Sequence, residues 1–221
     1  ERFDNFFWAI ADLARNRPFV SVIGDRDADG SLYYDCLALP AGGGFQDEQW
    51  WSFDFGRVHF VGLDSTATDP ATMEAQTAWL EGNLALATGK LIVVFAHNAL
   101  YSSAYASGTN EALCSVWEPL FRSYGVDVVF SASAACYEHI YRGGVHYITT
   151  GGGGSPLMAA PPGIAAGAVS RRYGMLHYVR CTFADDSLLI EAIPVASTVG
   201  DTVYLAASGS AIDTVLLRLD R

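Results

Sequence analysis

Basic side chains are scarce in this sequence: 13 Lys and Arg stand against 24 Asp and Glu over 221 residues, for a formal net charge of -11. They nowhere cluster, so the chain lacks the positive surface that a nucleic acid or an anionic membrane needs. An acidic protein without a cation also repels phosphate substrates, and the simplest meaning of the charge is solubility. Long apolar runs are missing too: none approaches the roughly 20 residues of a membrane-spanning helix. No two of the four cysteines, Cys36, Cys114, Cys136 and Cys181, form a Cys-x-x-Cys pair, which argues against a zinc knuckle. The chain opens on Glu1 and not on Met, so a processed product or a fragment is expected, with no signal peptide in view. An even cysteine count in such a chain favours an oxidising compartment, extracellular or periplasmic.

What is present points to a folded enzyme-sized domain. Apolar residues make up 51% of the chain and aromatics 13%, enough to bury a sizeable core. We read 1–221 as a single domain in two parts. Over 1–174 helices and strands alternate. A helix is expected over Asp4–Asn16, capped by Asp4 or Asn5, with Phe6, Ile10 and Leu13 on one face. Further helices follow Asp69-Pro70, and run from Asn110 to Tyr124 with Pro119 kinking or interrupting the latter. Phe19–Ile23, Trp51–Phe55, Val58–Leu63, Leu91–Phe95, Val126–Phe130 and Val145–Thr149 read as strands. Over 175–221 the segments Leu176–Phe183, Leu188–Ile193, Val203–Ala206 and Thr214–Leu219 read as an antiparallel meander with no helix between them.

Three strand ends carry candidate chemistry. Asp25 and Asp27 follow the first strand, His97 follows Leu91–Phe95, and Ser131–His139 follows Val126–Phe130. Parallel neighbouring strands would gather these loops at their carboxyl ends, where α/β sheets bind ligands. Carboxylates and an imidazole there could hold a divalent cation; equally, Asp25 and Asp27 suit a turn and His97 a hydrogen-bonded loop. Cys114 sits in the first turn of its helix and Cys136 just past the next strand. In a helix–strand unit packed antiparallel those ends meet, so a Cys114–Cys136 disulfide is expected, the alternative being two buried free thiols. His59 and His146 lie within strands and read as core or face residues, while His139 and His177 read as structural.

Several motifs, in order, carry a resemblance. They are Trp50-Trp51-Ser52-Phe53-Asp54-Phe55-Gly56-Arg57-Val58-His59-Phe60-Val61-Gly62-Leu63-Asp64-Ser65, Gln76 with Trp79-Leu80, Val94-x-x-His97, Leu100-Tyr101-Ser102-Ser103, Tyr124 to Ser131, Tyr137-Glu138, and Tyr147 to Thr150 with the glycines Gly151–Gly154. Over residues 1–193 the chain resembles the purple acid phosphatase-like branch of the metallophosphoesterase (calcineurin-like) superfamily. The resemblance implies an α/β/β/α sandwich of two mixed sheets, and a pair of metals whose bound hydroxide attacks phosphorus.

The same resemblance implies a depleted ligand set. The Asp-x-His and Gly-Asp motifs belong before the first helix and are absent from this chain. The Gly-Asn-His-Glu/Asp motif reads Gly24-Asp25-Arg26-Asp27, which puts Asp25 at the bridging position and Arg26 where a histidine assists the leaving group. Arginine is no general acid near neutral pH; it is expected to pair with Asp25 or Asp27 instead. His97 is kept. The Gly-His-x-His motif reads Ala132-Ser133-Ala134-Ala135, so Ser133 and Ala135 replace both histidines. Gly151–Gly154 has no helix behind it and is no P-loop.

The expected fold is therefore a metallophosphoesterase-like sandwich with its N-terminal strands missing, and the expected function a catalytically degenerate structural or interaction module. No metal or other cofactor is expected; an active chain would need a divalent or Fe/Zn/Mn-type metal pair. The alternatives are the C-terminal part of a metal-dependent phosphomonoesterase, or a small-anion binder using Arg26. The family's missing strands would leave Phe19–Ile23 without a neighbour, so a protein partner or a second copy is expected to complete the sheet.

Overall fold

A computed structural model of the chain describes residues 2–27, 32–105, 108–199, 202–206 and 210–219. Among these, eight strands form a mixed sheet: β1 (Gly42–Gly43), β2 (Trp50–Phe55), β3 (Val58–Leu63), β4 (Leu91–Ala96), β5 (Val128–Ser131), β6 (Tyr137–Arg142), β7 (Val145–Thr150) and β8 (Ala168–Arg172), in the order β1-β2-β3-β4-β5-β7-β6-β8. β3, β4, β5 and β7 run parallel, while the outer pairs are antiparallel. The crossovers explain this arrangement. α3 (Pro70–Ala85) joins β3 to β4 and α4 (Glu111–Tyr124) joins β4 to β5, and a parallel pair needs such a connection.

The parallel strands are apolar on both faces because both are covered. Ile92, Val94 and Ala96 of β4 pack with Leu80 and Leu84 of α3 and Leu113, Trp117 and Phe121 of α4. Leu91 and Val93 face the other way, onto the second sheet. That sheet is built from β9 (Met175–Phe183), β10 (Ser187–Val199), β11 (Thr202–Leu205) and β12 (Asp213–Arg218). β10 is its spine, pairing with the other three. Its pairings are all antiparallel, so the second sheet is not mixed as expected; hairpin connections too short for crossovers dictate this. Two helices lie beside the N-terminal end of the sheet: α1 (Arg2–Ala14) and the short α2 (Leu32–Cys36). No helix among the described residues is long and apolar enough to cross a membrane.

Local signals hold well at α3 and α4. Asp69 accepts from the Thr72 amide at 2.8 Å and Asn110 from the Leu113 amide at 3.3 Å, each satisfying a helix N–H that has no partner within its own helix. Pro119 neither interrupts nor ends α4, which runs through to a left-handed cap at Gly125. The proline costs the helical hydrogen bond to the Ser115 carbonyl, while Trp117 and Phe121 on either side are fully buried and hold the helix to the sheet. α1 begins at Arg2, so neither Asp4 nor Asn5 caps it.

Phe19–Ile23 departs from expectation. It is extended, but no strand pairs with it among the described residues. Side chains hold it instead: Trp51 Nε1 donates to the Ser21 carbonyl at 3.0 Å, and Ser21 Oγ bonds Tyr33 Oη at 2.8 Å. Ile23 packs with Tyr33, Leu39 and Trp51. Burial was readable from the apolar run, but a hydrogen-bonding neighbour was not.

Candidate functional site

The carboxyl ends of β4 and β5 bring the expected loops together. The Ala132 and Ser133 amides both donate to the His97 carbonyl, at 3.0 and 2.9 Å. Across from them, Gly24 to Asp27 closes a turn through Asp27 N–H to the Gly24 carbonyl at 2.9 Å. The half-buried His97 lies against this turn, since a Cβ on Gly24 would come 3.0 Å from its Nδ1. His97 Nε2 reaches Asp25 Oδ2 at 3.4 Å. Asn98 donates from Nδ2 to Asp25 Oδ1 at 3.3 Å and to the Ser65 carbonyl at 3.1 Å, and its amide donates to Ser65 Oγ at 2.7 Å.

Two expectations change here. Arg26 pairs with neither Asp25 nor Asp27: it is exposed and makes no ion pair among the described residues. The turn gives the reason, for Arg26 occupies its outer corner while Asp25 folds inward to His97. Cys114 and Cys136 are free and buried, as two thiols and not a disulfide. Cys114 Sγ is engaged with the Leu100 carbonyl at 3.2 Å, packed in the core between α4 and the sheet. Cys36 and Cys181 are free as well.

Ser133 and Ala135 have taken up backbone work. Ser133 Oγ accepts from the Ala99 amide at 3.3 Å, and the Ala135 carbonyl accepts from Met158 at 3.0 Å. The metal pair that the resemblance implies does not fit this donor set. Asp25 and His97 are its remaining members and bond each other. A serine hydroxyl is a poor ligand and alanine is none. Among the described residues no group of three or more His, Cys, Asp or Glu could hold a metal ion.

Beside these loops stands a buried carboxylate. Glu138 of β6 accepts from Ser102 Oγ at 2.9 Å, from the Ser103 amide at 2.8 Å, and from Ser103 Oγ. A second polar cluster lies across the sandwich. Asp213 Oδ2 accepts from Tyr137 Oη at 2.7 Å and His139 Nδ1 at 2.8 Å, and His139 Nε2 meets His146 Nδ1 at 2.9 Å. Burial, followed by the neighbouring His139, pushes the His146 imidazole down to about 4. Sequence reasoning missed this cluster. Its signal was Gly143-Gly144, both at positive φ, a two-residue hairpin turn. The turn sets Tyr141 opposite His146 and so puts His139 and His146 on one face.

Between the two sheets runs an apolar cleft of about 550 Å³. Phe60, Phe95 and Phe130 form its floor, with Val22 on one side and Cys181 and Phe183 on the other. Phe60 to Phe95 and Phe95 to Phe130 stack at 6.4 and 5.5 Å between centroids.

No family model matches the chain. Over 137 residues it is 34% identical to purple acid phosphatase 23 of Arabidopsis thaliana, covering 56% of this chain and 30% of that protein. Its fold matches purple acid phosphatase PPD1 from yellow lupin (Lupinus luteus) seeds with a TM-score of 0.68 at 20% identity, covering 91% of this chain and 39% of that one. It also matches GAP50, the anchor in the inner membrane complex of Plasmodium, with a TM-score of 0.65 at 19% identity, covering 87% of this chain and 67% of that one. The chain thus spans under a third of the Arabidopsis phosphatase. With its large mixed sheet backed by a second sheet, and with the motifs from Trp50 to Ser65 in place, the chain has the fold of the purple acid phosphatases and is similar in sequence to one of them over 137 residues.

Proposed function

We propose that this chain is a catalytically degenerate metallophosphoesterase domain that acts as a structural or interaction module. The observation that carries the reading is the Asp25–His97 contact at 3.4 Å, made in a cleft whose other expected donors are Ser133 and Ala135. Activating water for attack on phosphorus needs cations held by several converging ligands, and the two that remain are turned on each other. GAP50 supports the reading by analogy, as a protein of the same fold described as an anchor. Placement outside the cytoplasm belongs to the same proposal, by kinship with the plant phosphatase.

The partner enters by the cleft. Phe19–Ile23 is an extended segment with no strand beside it, and β9 pairs on one edge only among the described residues. An added extended segment, from a partner protein or a second copy, would bond to β9 beyond His177, whose amide already donates to the Gly152 carbonyl, and bury its alternate side chains on Phe60, Phe95 and Phe130. Light scattering of the purified chain is expected to show an oligomer or a bound partner. Phe183→Asp at the cleft wall should disperse the complex without altering the circular dichroism spectrum. A concentration-independent wild-type monomer that unfolds cooperatively would refute this part.

The competing reading is the C-terminal part of a phosphomonoesterase, favoured by the 30% and 39% coverage of the two plant enzymes. Metal analysis and aryl-phosphate turnover separate the two. We expect fewer than two stoichiometric ions per chain and no turnover that depends on His97. Two bound ions, with a rate abolished by His97→Ala, would establish the enzyme.

A further inference from the structure

The contact between the two sheets contains a chain of groups that holds one proton too few to be insensitive to acid. Asp213, the first residue of β12, reaches across to β6 and receives Tyr137 Oη and His139 Nδ1 on the same oxygen, at 2.7 and 2.8 Å. Its other oxygen takes the Thr214 amide at 2.9 Å. His139 is buried, and its second nitrogen lies 2.9 Å from His146 Nδ1 of β7. The ring of Tyr141 covers His146 at 4.6 Å between centroids. Other titratable groups face the cluster at Tyr137: Arg172 of β8 acts on its hydroxyl electrostatically, and His177 of β9 packs edge-on at 5.4 Å.

We propose that Asp213, His139 and His146 form an acid-sensitive clasp at the contact between the two sheets, in which a first added proton leaves the chain of hydrogen bonds intact and a second one breaks it at the His139–His146 bond.

The argument is a count of protons. A distance of 2.9 Å between two imidazole nitrogens admits a single hydrogen. With both rings neutral, His139 Nδ1–H serves Asp213, and His139 Nε2 accepts from His146 Nδ1–H. That leaves His146 Nε2 as the bare nitrogen, on the half-buried ring. One added proton binds there. The Nδ1 hydrogen of His146 then shifts to His139 Nε2, so the bond between the rings survives with donor and acceptor exchanged while His139 Nδ1–H still serves Asp213. The positive charge ends on His139, beside the Asp213 carboxylate, where an ion pair stabilises it. A second proton has no such place. It must occupy His146 Nδ1 and set N–H against N–H, with two imidazolium charges facing each other. The bond between the two rings must then break, so the acid-labile link is the one that joins β6 to β7 beneath β12.

The depressed His146 supports this count, since its folded value of about 4 lies below the ordinary 6.5. The sign follows directly. Between these values the unfolded chain binds the proton and the folded one does not, so folding stability is lost as pH falls from about 6.5 to about 4. The gap between the two corresponds to a roughly 300-fold loss in the folding equilibrium constant once pH lies well below 4, of which roughly 80-fold falls between pH 6.5 and 4.

Equilibrium unfolding by urea at a series of pH values, on the full chain and on His146→Asn, tests the clasp. The asparagine amide can still donate to His139 Nε2, but it takes up no second proton. The wild type is expected to lose roughly 80-fold in its folding equilibrium constant between pH 6.5 and 4 beyond what the variant loses. Identical pH profiles would overturn the proposal. Should His146→Asn fail to fold, imidazole nitrogen chemical shifts in the wild type decide the matter. Titration of His146 that completes only near pH 4 supports it, and titration of His146 near 6.5 refutes it.

Discussion

Replacing Glu138 with alanine should unfold this domain more readily than any change in the loops after β4 and β5. Glu138 is 1% exposed, and its two oxygens receive the Ser102 hydroxyl, the Ser103 amide and the Ser103 hydroxyl. Ser103 Oγ in turn accepts from the Ala165 amide at 2.9 Å, so one carboxylate ties β6 to the segment after β4 and to the loop before β8. Removing it strands three donors. The two hydroxyls can rotate, but the Ser103 amide is fixed and buried. An unsatisfied buried group costs about 1–3 kcal/mol, and a lost bond to a charged partner about as much. With the cavity left by the side chain, Glu138→Ala should cost about 3–5 kcal/mol. Against a typical net stability of about 5–15 kcal/mol, that is a large fraction, visible as a fall in Tm of about 10 °C. Glu138→Gln keeps the shape and one acceptor oxygen and should cost about 1–2 kcal/mol. Urea and thermal melts of the three proteins decide it. A loss below about 1 kcal/mol for the alanine variant would mean that water reaches these donors, and the reasoning would fail.

Other outcomes follow from single contacts. Gly62 lies under Trp51, where an added Cβ would sit 2.2 Å from the indole; Gly62→Ala should cost about 1–3 kcal/mol by overpacking, measured by urea unfolding. In native alkylation at neutral pH only the exposed Cys36 should react quickly, because burial pushes the Cys136 and Cys181 thiols up to about 12 and about 11. Mass spectrometry should then find all four thiols alkylated after denaturation without reductant, and two that stay unreactive would restore the disulfide. Chelator should leave the melting temperature unchanged, since the loops after β4 and β5 are tied by direct hydrogen bonds; a fall of several degrees would reveal a bound ion that stabilises the fold by linkage.

The central strands were legible because both of their faces are covered, so that Val58–Leu63 and Leu91–Ala96 read as unbroken apolar runs. The caps Asp69 and Asn110 were legible because capping is local. What escaped was set by distant partners. β6 does not read as a strand, since Glu138 and His139 are polar; they are buried because their partners lie 35 and 74 residues away. Phe19–Ile23 shows the reverse case. Its run of β-branched and aromatic residues reports burial faithfully, but pairing needs a neighbour, and that neighbour is not written in the run itself. For Arg26, adjacency to two aspartates suggested an ion pair. The turn from Gly24 to Asp27 points the three side chains apart, and the aspartate finds a histidine more than seventy residues further along the chain.

The loops after β4 and β5 are held together by the chain's own groups. A cleft that gathers carboxylates and imidazoles around cations depends on those cations, without which its like-charged groups repel and its buried donors lack partners. Here Ser133 bonds the Ala99 amide, the His97 carbonyl takes two amides of the loop after β5, and Asp25 is held by His97 and Asn98. The loops are therefore closed by neutral hydrogen bonds and one half-exposed contact, worth roughly 0.5–1.5 kcal/mol per neutral bond. Arg26 costs little because it remains in water. Such an arrangement holds the loops at the carboxyl ends of β4 and β5 through the chain's own groups, beside the apolar cleft between the two sheets.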